Sequence, residues 1–351
     1  MKKSTLFLLV ALINVLPALS QINYRQEFLS LYKTVQQNFL DSSTGFYKDI
    51  HGSTGNHKYS YLWPLCGLIQ VNNEAEKIGY KKYSVRYVLS AIDKYRSTKP
   101  PVPGYDSYIV EYGGGDRFYD DNQWIGLALM DAYFREPQKE YLDKSEEIYH
   151  FMMSGFDTAS GGGLYWEEGK PDTKNTCSNG PGIILALQLY KATKEKSYLD
   201  TALLLYEWVN KNLADKDGLY MDNIKIQSGK VDKTKFSYNT ATMLQSNVYL
   251  YELTKDKSYL DKAKKIADSS LTYFYGKENF RDGYWFNAVM LRAYQHLLKF
   301  SPEKKYINAF IKCANNAIMQ NKNSNGLMGK QKPIDLVNQA GMLEILARLA
   351  Q

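Results

Sequence analysis

The chain has 351 residues, with 44 lysines and arginines, 37 aspartates and glutamates, and a formal net charge of +7. Charges of both signs are interspersed, and no basic block suited to nucleic acid occurs. The four histidines form no pair with metal-ligand spacing, and the three cysteines lie far apart, which argues against a disulfide framework or a zinc site. We therefore expect no nucleic-acid partner, no metal and no cofactor.

The amino end has the pattern of a secretory signal. Two lysines precede an apolar run over 6–16, and small residues follow at 18–20, where a signal peptidase would cut. The run is too short for a membrane anchor, and the first cysteine after it, Cys66, lies too far along the chain for a lipoprotein anchor. We predict a signal peptide over 1–20 and a single exported domain over 21–351, periplasmic or extracellular and monomeric.

A repeated segment predicts stacked helical hairpins. A Tyr-Leu-Asp pattern or a looser variant opens amphipathic stretches at Tyr141, Tyr198, Tyr259 and Tyr306, with a weaker copy at Tyr83. Between them lie stretches that are apolar nearly all round, which is typical of helices buried on every side. Small residues near the start of each buried stretch would let neighbouring helices approach closely.

The alternation predicts six helices of each kind. Helices with one exposed face are predicted near 24–40, 81–96, 139–154, 197–212, 258–275 and 302–321. Buried helices are predicted near 60–78, 121–134, 178–193, 239–254, 284–299 and 336–350. Because no capping unit is evident, we expect six hairpins to close into an all-α barrel with the buried helices inside.

The connections predict where function lies. Links from buried to exposed helices are short. Those in the other direction are mostly long and rich in glycine, aromatic and polar residues, over 41–59, 97–120, 155–177, 213–238 and 322–335. Loops gathered at one end of a rigid scaffold commonly carry binding and catalysis. We therefore expect a cleft at the end where the buried helices begin.

One of these loops ends in two adjacent acids, within Tyr119-Asp120-Asp121-Asn122-Gln123-Trp124. One interpretation is an N-cap, since an aspartate accepts a hydrogen bond from the free backbone N–H groups of a helix start. A cap needs only one acid, however. Paired carboxylates among aromatic residues are typical of glycoside hydrolysis. Both interpretations stay open on this pattern alone.

Further polar and aromatic residues should meet the acids at the cleft. Glycines followed by alternating aromatics, as at 161–167, indicate a short hairpin strand over the mouth. Aromatic faces cover the C–H face of a sugar ring, and amides pair with its hydroxyl groups. The candidate binding residues are Tyr119, Asn122, Gln123, Tyr165, Trp166, Asn175, Asp222, Tyr238, Asn239, Trp285 and Phe286. Packing explains each ring equally well, and N-capping also suits Asn179, Asn239 and Asn338.

Taken together, these motifs resemble glycoside hydrolase family 76, the α-1,6-mannanases, particularly its exported bacterial members. The resemblance rests on the segments 119–124, 162–166, 174–176, 238–241 and 284–288. It implies an (α/α)6 barrel and a retaining, endo-acting hydrolase whose partner is α-1,6-linked mannan or its oligosaccharides. It also implies that Asp120 is the nucleophile and Asp121 the acid/base.

Retaining hydrolysis requires two carboxyls about 5–5.5 Å apart that reach one glycosidic bond. Neighbouring residues of a regular helix point about 100° apart. We therefore expect Asp120 just before the helix, in non-helical geometry, and Asp121 at its start.

Two other classes stay open. One is a non-catalytic glycan-binding protein, which would not need both acids. The other is a different sugar-active barrel, such as a lyase, an epimerase or an uronide hydrolase. Epimerases of this shape use paired histidines at the mouth, which we do not find in the loops and helix starts.

Overall fold

The computed structural model describes residues 22–54, 59–330 and 333–351, so the predicted signal peptide lies outside the described residues. The described residues form twelve α-helices. In chain order they are α1 (Tyr24–Phe39), α2 (Leu62–Lys77), α3 (Val85–Ile92), α4 (Tyr119–Arg135), α5 (Lys139–Met153), α6 (Thr176–Thr193), α7 (Lys196–Asn212), α8 (Ser237–Thr254), α9 (Lys257–Tyr275), α10 (Tyr284–Leu298), α11 (Lys305–Asn321) and α12 (Leu336–Leu349). None of these described helices has both the length and the apolar character that a bilayer span requires.

The even-numbered helices form a closed ring at the centre of the molecule. Each packs against the next, from α2 through α4, α6, α8 and α10 to α12, and α12 packs against α2. The odd-numbered helices lie outside this ring. Helices α3, α5, α7, α9 and α11 each pack against the inner helix before them, and α1 packs against α12. The predicted all-α fold, an (α/α)6 barrel of six helical hairpins, is confirmed.

Small residues set the spacing of the inner ring, as predicted. A Cβ added at Gly341 of α12 would overlap the backbone of Trp285 in α10. One added at Gly67 of α2 would lie 3.0 Å from the Cβ of Ala340 in α12. The inner helices therefore pack at distances that larger side chains at these positions would not allow.

The helix bounds match the predicted ranges to within a few residues, except for α3. That helix is predicted over 81–96 but observed over Val85–Ile92. At its start, the Val85 N–H donates to the Glu76 carboxylate at 2.8 Å. At its end, a 3₁₀ turn leads into Arg96–Ser97, which pairs as a strand with Gly104–Tyr105. These contacts between separate segments shorten the helix.

Buried ion pairs join three inner helices at the end of the barrel where these helices finish. Glu344 of α12 accepts from Arg292 of α10 at 2.5 and 2.6 Å, and from Arg348 at 2.7 Å. Arg348 also lies 2.8 Å from the carboxylate of Glu74 in α2. Burial acts to raise the pKa of Glu74, but the charges of Arg348 and Lys77 lower it to about 2. Both buried glutamates thus have the cationic partners that burial requires.

Short strands lie among the connecting loops. They are β1 (Leu40–Asp41), β2 (Phe46–Tyr47), β3 (Arg96–Ser97), β4 (Gly104–Tyr105), β5 (Tyr165–Glu167), β6 (Lys170–Asn175), β7 (Asn223–Lys225) and β8 (Val231–Asp232). Strands β5 and β6 form the predicted hairpin, and β6 also pairs with β7 in a four-stranded antiparallel sheet. This second pairing joins the loop before α6 to the loop before α8, and no local sequence pattern predicts it.

Three buried amides fasten the long loops to the inner ring, and we call them the loop clips. Each accepts the backbone N–H of one loop residue and donates to the C=O of the same residue, at 2.7–3.0 Å: Asn122 with Tyr105, Asn179 with Leu164, and Gln339 with Met328. Each clip is the fourth residue of its helix. The prediction that Asn179 caps α6 is therefore wrong, because the helix already begins at Thr176.

Replacing Asn179 with alanine should lower the free energy of unfolding by about 2–4 kcal/mol. The buried N–H and C=O of Leu164 would lose their partner, and each unsatisfied group costs about 1–3 kcal/mol. Urea unfolding measures the change. Asn308→Ala, on the exposed side of α11, is the control and should change stability by less than about 0.5 kcal/mol. Equal losses at the two positions would contradict the role of the clip.

Candidate active site

A cleft of about 670 Å³ opens at the end of the barrel where the inner helices begin. The second residue of every inner helix lines it, and we call these residues the helix-start ring: Trp63, Asp120, Cys177, Tyr238, Trp285 and Val337. Because the six inner helices start around one opening, equivalent positions converge on a single space. The cleft therefore lies where the long loops predicted it.

Asp120 and Asp121 are the second and third residues of α4, inside its first turn. The N-cap position belongs to Phe118, which is extended and makes no side-chain cap bond. The N-cap interpretation is therefore wrong, and so is the expectation that Asp120 precedes the helix in non-helical geometry. Helical side chains tilt toward the N-terminus, so two successive residues of a first turn can both face a cleft beyond it. Both acids do line the cleft.

The two carboxyls have pKa values that are raised to different degrees. Burial raises the pKa of Asp121 well above its usual value, and the charge of Asp120 raises it further. Burial also raises the pKa of Asp120, but the side chains of Cys177 and Trp166 and the backbone N–H groups of the pair lower it. Asp120 is therefore the first of the two to ionise, while Asp121 keeps its proton. The Oδ1 atom of Asp120 accepts no hydrogen bond from the described residues.

Aromatic rings form much of the cleft wall. Trp285 contacts Trp63 and Trp124 edge-to-face, with ring centroids 5.5 and 4.9 Å away. Trp166, on the hairpin, lies over the mouth with 41% of its surface exposed and its ring 4.9 Å from that of Phe118. Such a wall offers apolar surface to the C–H face of a sugar ring.

Polar groups face the cleft from the side of the four-stranded sheet. Asp222 accepts hydrogen bonds from the amides of Asn223 at 2.8 Å and Asn239 at 3.1 Å, and burial raises its pKa. The amide oxygens of Asn175 and Asn223 are buried and accept no hydrogen bond from the described residues. Unpaired acceptors in a cleft suit a ligand that carries hydroxyl groups.

The cleft wall is acidic. Among the described residues, it contains no lysine, arginine or histidine, and it contains five aspartates: Asp49, Asp120, Asp121, Asp222 and Asp335. The described part of the chain also contains no group of three His, Cys, Asp or Glu residues placed to hold a metal ion. Carboxylates without cations nearby disfavour an anionic ligand and raise each other's pKa.

Eight of the residues predicted for the site line the cleft. They come from three inner helices and from the two loops that share the sheet: Asp120, Asp121, Trp166, Asn175, Asp222, Tyr238, Trp285 and Phe286. The ring of Phe286 lies 4.1 Å from that of Tyr238, which joins two helix starts across the wall. The fold thus brings these residues together, and their part in binding stays a prediction.

Three predicted binding residues beside the acids lie within the barrel wall. Tyr119 is buried with its ring 5.0 Å from that of Phe151. Asn122 is a loop clip, and the amide of Gln123 donates to the sulfur of Met152 at 3.6 Å. The fold places these three residues outside the cleft wall, and their part in substrate binding stays a prediction.

Two further predicted binding residues also lie outside the cleft wall. The hydroxyl of Tyr165 donates to Asp157 at 2.8 Å and lies outside the cleft wall, since alternate residues of a strand face opposite sides. Asn239 is buried behind Asp222, to which it donates, so it supports a cleft residue without lining the cleft itself.

The helix-start ring contains three residues that the sequence did not single out for the cleft: Trp63, Cys177 and Val337. From the sequence, N-capping suited Asn179, Asn239 and Asn338 as well as the acid pair. Capping at Asn239 and Asn338 is wrong, because each is the third residue of its helix, after Phe236 and Asp335 as N-caps. Aligning Asp120 with Tyr238 and Trp285 instead would have identified the ring.

The sequence profile of glycosyl hydrolase family 76 matches residues 29–344. The chain belongs to this family. Among its relatives, the mannan endo-1,6-alpha-mannosidase DCW1 of Saccharomyces cerevisiae is 31% identical in an alignment 175 residues long, which covers 44% of this chain and 38% of that protein. The chain thus spans about two fifths of the length of the curated relatives it matches.

Solved structures extend the likeness to the whole barrel. A family 76 glycoside hydrolase (mannosidase) from Bacteroides thetaiotaomicron has a TM-score of 0.84 and 25% identity, covering 94% of this chain and 98% of that one. An α-1,6-mannanase from a Salegentibacter species, an inactive variant with two successive aspartates replaced by asparagine, is in complex with α-1,6-mannotriose. Its TM-score is 0.79 at 22% identity, covering 93% of this chain and 99% of that one, which shows the shared fold.

Asp121→Asn should raise the melting temperature near pH 7 and leave it unchanged near pH 4. Because the pKa of Asp121 is raised in the folded protein, the folded state holds this proton more tightly than the unfolded chain. Such a group stabilises the fold fully below its unfolded pKa of about 3.9, and that stability is lost as the pH rises through the folded pKa. Asparagine has no proton to lose in this pH range, so the variant does not lose this stability as the pH rises.

Thermal melts of both proteins across this pH range measure the effect. Asp200→Asn, the same substitution on the exposed side of α7, is the control and should give no gain that grows with pH. An Asp121→Asn variant less stable than the unmodified protein near neutral pH would contradict the raised pKa of Asp121.

Proposed function

We propose that the protein is a retaining glycoside hydrolase that cleaves α-1,6-mannosidic bonds within mannan chains or their oligosaccharides. The observation that carries the proposal is the acid pair, Asp120 and Asp121, which lies in the cleft with unequally raised pKa values and with no cation among the described lining residues. Strongly perturbed pairs in clefts are typical of catalytic acids and bases. Family membership supports the reaction class, and the names of the yeast relative and of the Salegentibacter enzyme support the substrate.

A purely structural role explains the pair less well. At the other end of the barrel, the buried Glu74 and Glu344 are paired with arginines, and their pKa values are lowered. The pair at the cleft has no such partner among the described lining residues, and its pKa values are raised instead. Acids that destabilise the folded protein when they ionise favour a functional reason for their presence.

In the proposed first step, a carboxylate oxygen of Asp120 attacks the anomeric carbon of a mannose unit. The bond from that carbon to the glycosidic oxygen breaks, and Asp121 gives its proton to the departing oxygen. The products are a glycosyl ester on Asp120, an ionised Asp121 and one released chain end.

In the second step, a water molecule enters where the released chain end was. The Asp121 carboxylate takes a proton from this water, whose oxygen bonds to the anomeric carbon as the ester bond to Asp120 breaks. Asp120 returns as a carboxylate and Asp121 as an acid. Two inversions at one carbon give a product with retained configuration.

The cleft wall favours neutral sugars over the alternatives. Uronide hydrolases and lyases act on anionic sugars, which five aspartates would repel. The paired histidines that epimerases use are also absent from the described residues of the wall. The stacked tryptophans and the unpaired amide oxygens of Asn175 and Asn223 suit the faces and hydroxyl groups of a neutral hexose chain.

Asp120→Asn and Asp121→Asn should each lower the rate of sugar release from α-1,6-mannan by about 10²-fold or more. The first loses the nucleophile, and the second loses acid–base assistance, which is itself worth about 10²–10⁴-fold. Reducing-end assays measure the rates. Asp200→Asn is the control and should retain full activity.

The glycan-binding alternative gives a different result in the same experiment. A protein that only binds would release no sugar in its unmodified form, and both variants would bind α-1,6-mannan as well as it does. Activity that survives in both variants would instead contradict the assigned roles of the two acids.

Proton NMR of the first products should show the α-anomer before mutarotation, because two displacements retain the configuration. Chain-length analysis of early products from long α-1,6-mannan should show oligosaccharides, as expected for cleavage within the chain. An initial β-anomer would contradict a glycosyl ester on Asp120. Mannose as the sole early product would contradict endo action.

We also propose that the protein is exported and acts as a monomer, with 1–20 removed and 21–351 forming one domain. The lysines, apolar run and small residues at the amino end support the first point. The single closed ring over the described residues supports one domain, and the mass measurement tests whether this domain is a monomer. Sequencing the amino end of the exported protein and measuring its mass in solution test both.

A further inference from the structure

Cys177 lies in the helix-start ring between Asp120 and Tyr238. The three residues are the second positions of α6, α4 and α8, which are neighbours in the inner ring. All three line the cleft, yet only 3% of the Cys177 surface is exposed. The thiol is therefore held between the two side chains with little access to solvent.

Two glycines bring these helix starts close together. A Cβ added at Gly180 of α6 would overlap the hydroxyl of Thr242 in α8. One added at Gly182 of α6 would lie 3.1 Å from the amide nitrogen of Gln123 in α4. A larger residue at Gly180 would push α6 away from α8, and one at Gly182 would crowd the side chain of Gln123. The glycines thus keep the thiol within reach of both side chains.

The direction of the hydrogen bonds follows from the protonation of the thiol. Burial raises the pKa of Cys177 well above its usual value, and the charge of Asp120 raises it further, so the thiol keeps its proton while Asp120 ionises. Interaction with Cys177 lowers the pKa of the Asp120 carboxyl and raises the pKa of the Tyr238 hydroxyl. This is the pattern of a thiol that donates to Asp120 and accepts from Tyr238. A short chain of donors therefore ends on the carboxylate.

The other titratable groups near this chain of donors carry no positive charge. They are Asp121 on the same helix as Asp120, Asp222 beside the sheet, and Cys66 on α2. Both acids would raise the pKa of Asp120 when ionised. Hydrogen bonds, rather than a cation, are thus what favours the ionised form of Asp120.

We propose that Cys177 is a positioning residue for the nucleophile: its S–H holds the Asp120 carboxylate in the orientation from which it attacks. This role rests on the proposed function, which gives the carboxylate its chemical task. A thiol is a weak donor. It can orient the carboxylate while withdrawing less of its negative charge than a hydroxyl or an N–H in the same place.

The test reads the ionisation of Asp120 directly and needs no substrate. Protein labelled with ¹³C at the aspartate carboxyl carbons is titrated by NMR, and the Asp120 signal is identified by its loss in Asp120→Asn. Cys177→Ala removes the donor, whereas Cys177→Ser keeps a donor of similar size and greater strength. Cys313→Ala, which alters a buried cysteine on the outer helix α11, is the matched control.

We expect the pKa of Asp120 to rise by about 0.5–1 unit in Cys177→Ala. It should fall below the unmodified value in Cys177→Ser and stay unchanged in Cys313→Ala. The acidic limb of kcat/KM for α-1,6-mannan should move in the same order. Because a change in packing alone would not order the Ser and Ala variants by donor strength, this order is the decisive readout.

An Asp120 pKa that is the same in Cys177→Ala and Cys177→Ser would overturn the proposal, whatever the activity. If Cys177→Ala fails to fold, the Cys177→Ser variant alone decides. An Asp120 pKa in that variant that is no lower than in the unmodified protein would then overturn the proposal. If the expected order is found but the unmodified protein releases no sugar from α-1,6-mannan, the proposed function fails and the positioning of Asp120 stands.

Discussion

In the closed inner ring, every helix packs against two neighbours, so none can slide along its axis without disturbing both interfaces. The glycine contacts make this constraint strict, since Gly341 already places α12 against the backbone of α10. The starts of the six helices are therefore fixed around one opening. Their free N–H groups and the positive ends of their dipoles point into the same cleft. The site is a consequence of this shared orientation.

The charges at the two ends of the barrel follow the same electrostatics. Aspartates gather where the inner helices begin, and Arg292 and Arg348 lie where they finish, each sign opposite to that of the nearby dipole ends. The difference lies in pairing. The arginines are matched by Glu74 and Glu344, whereas no cation lines the cleft beside Asp120 and Asp121 among the described residues. Helix N–H groups, a thiol and an indole favour the ionisation of Asp120, while burial and the charge of Asp120 oppose that of Asp121. Carboxyls whose ionised form is only partly stabilised by the protein can exchange protons with a bound sugar.

Much of the fold was predictable because its signals are local. The alternation of helices with one exposed face and helices apolar all round predicts both layers, and the motif around Asp120 and Asp121 predicts the family. The helix starts were less predictable. At α2, α4 and α8 the N-cap residues are Tyr61, Phe118 and Phe236, none of which makes a side-chain cap bond. Packing of the ring, rather than a capping residue, decides where these helices begin.

That uncertainty of one or two residues explains most of the errors at the site. A shift of one position exchanges a residue that faces the cleft, such as Cys177, for one that faces a neighbouring helix. The role of Asn122 as a clip depends on Tyr105, and the position of Asn239 depends on Asp222. Both contacts join segments separated in sequence, so no local pattern could reveal them. The cleft-lining residues in the first turns, by contrast, could have been identified from the sequence once the first residue of each helix was placed correctly.

The loop clips have a consequence for how such a barrel can acquire new specificity. Each clip holds its loop through the backbone N–H and C=O of one residue, as Asn179 does at Leu164. The clip itself recognises only the main chain, but Leu164, Tyr105 and Met328 are also buried in the core, so an exchanged loop must keep an apolar residue at this position. Segments on either side can therefore lengthen, shorten or be exchanged while the point of attachment survives. The clip amide of this barrel would hold a loop transplanted from a related protein. The loops around the cleft can therefore be exchanged one at a time without moving the acids.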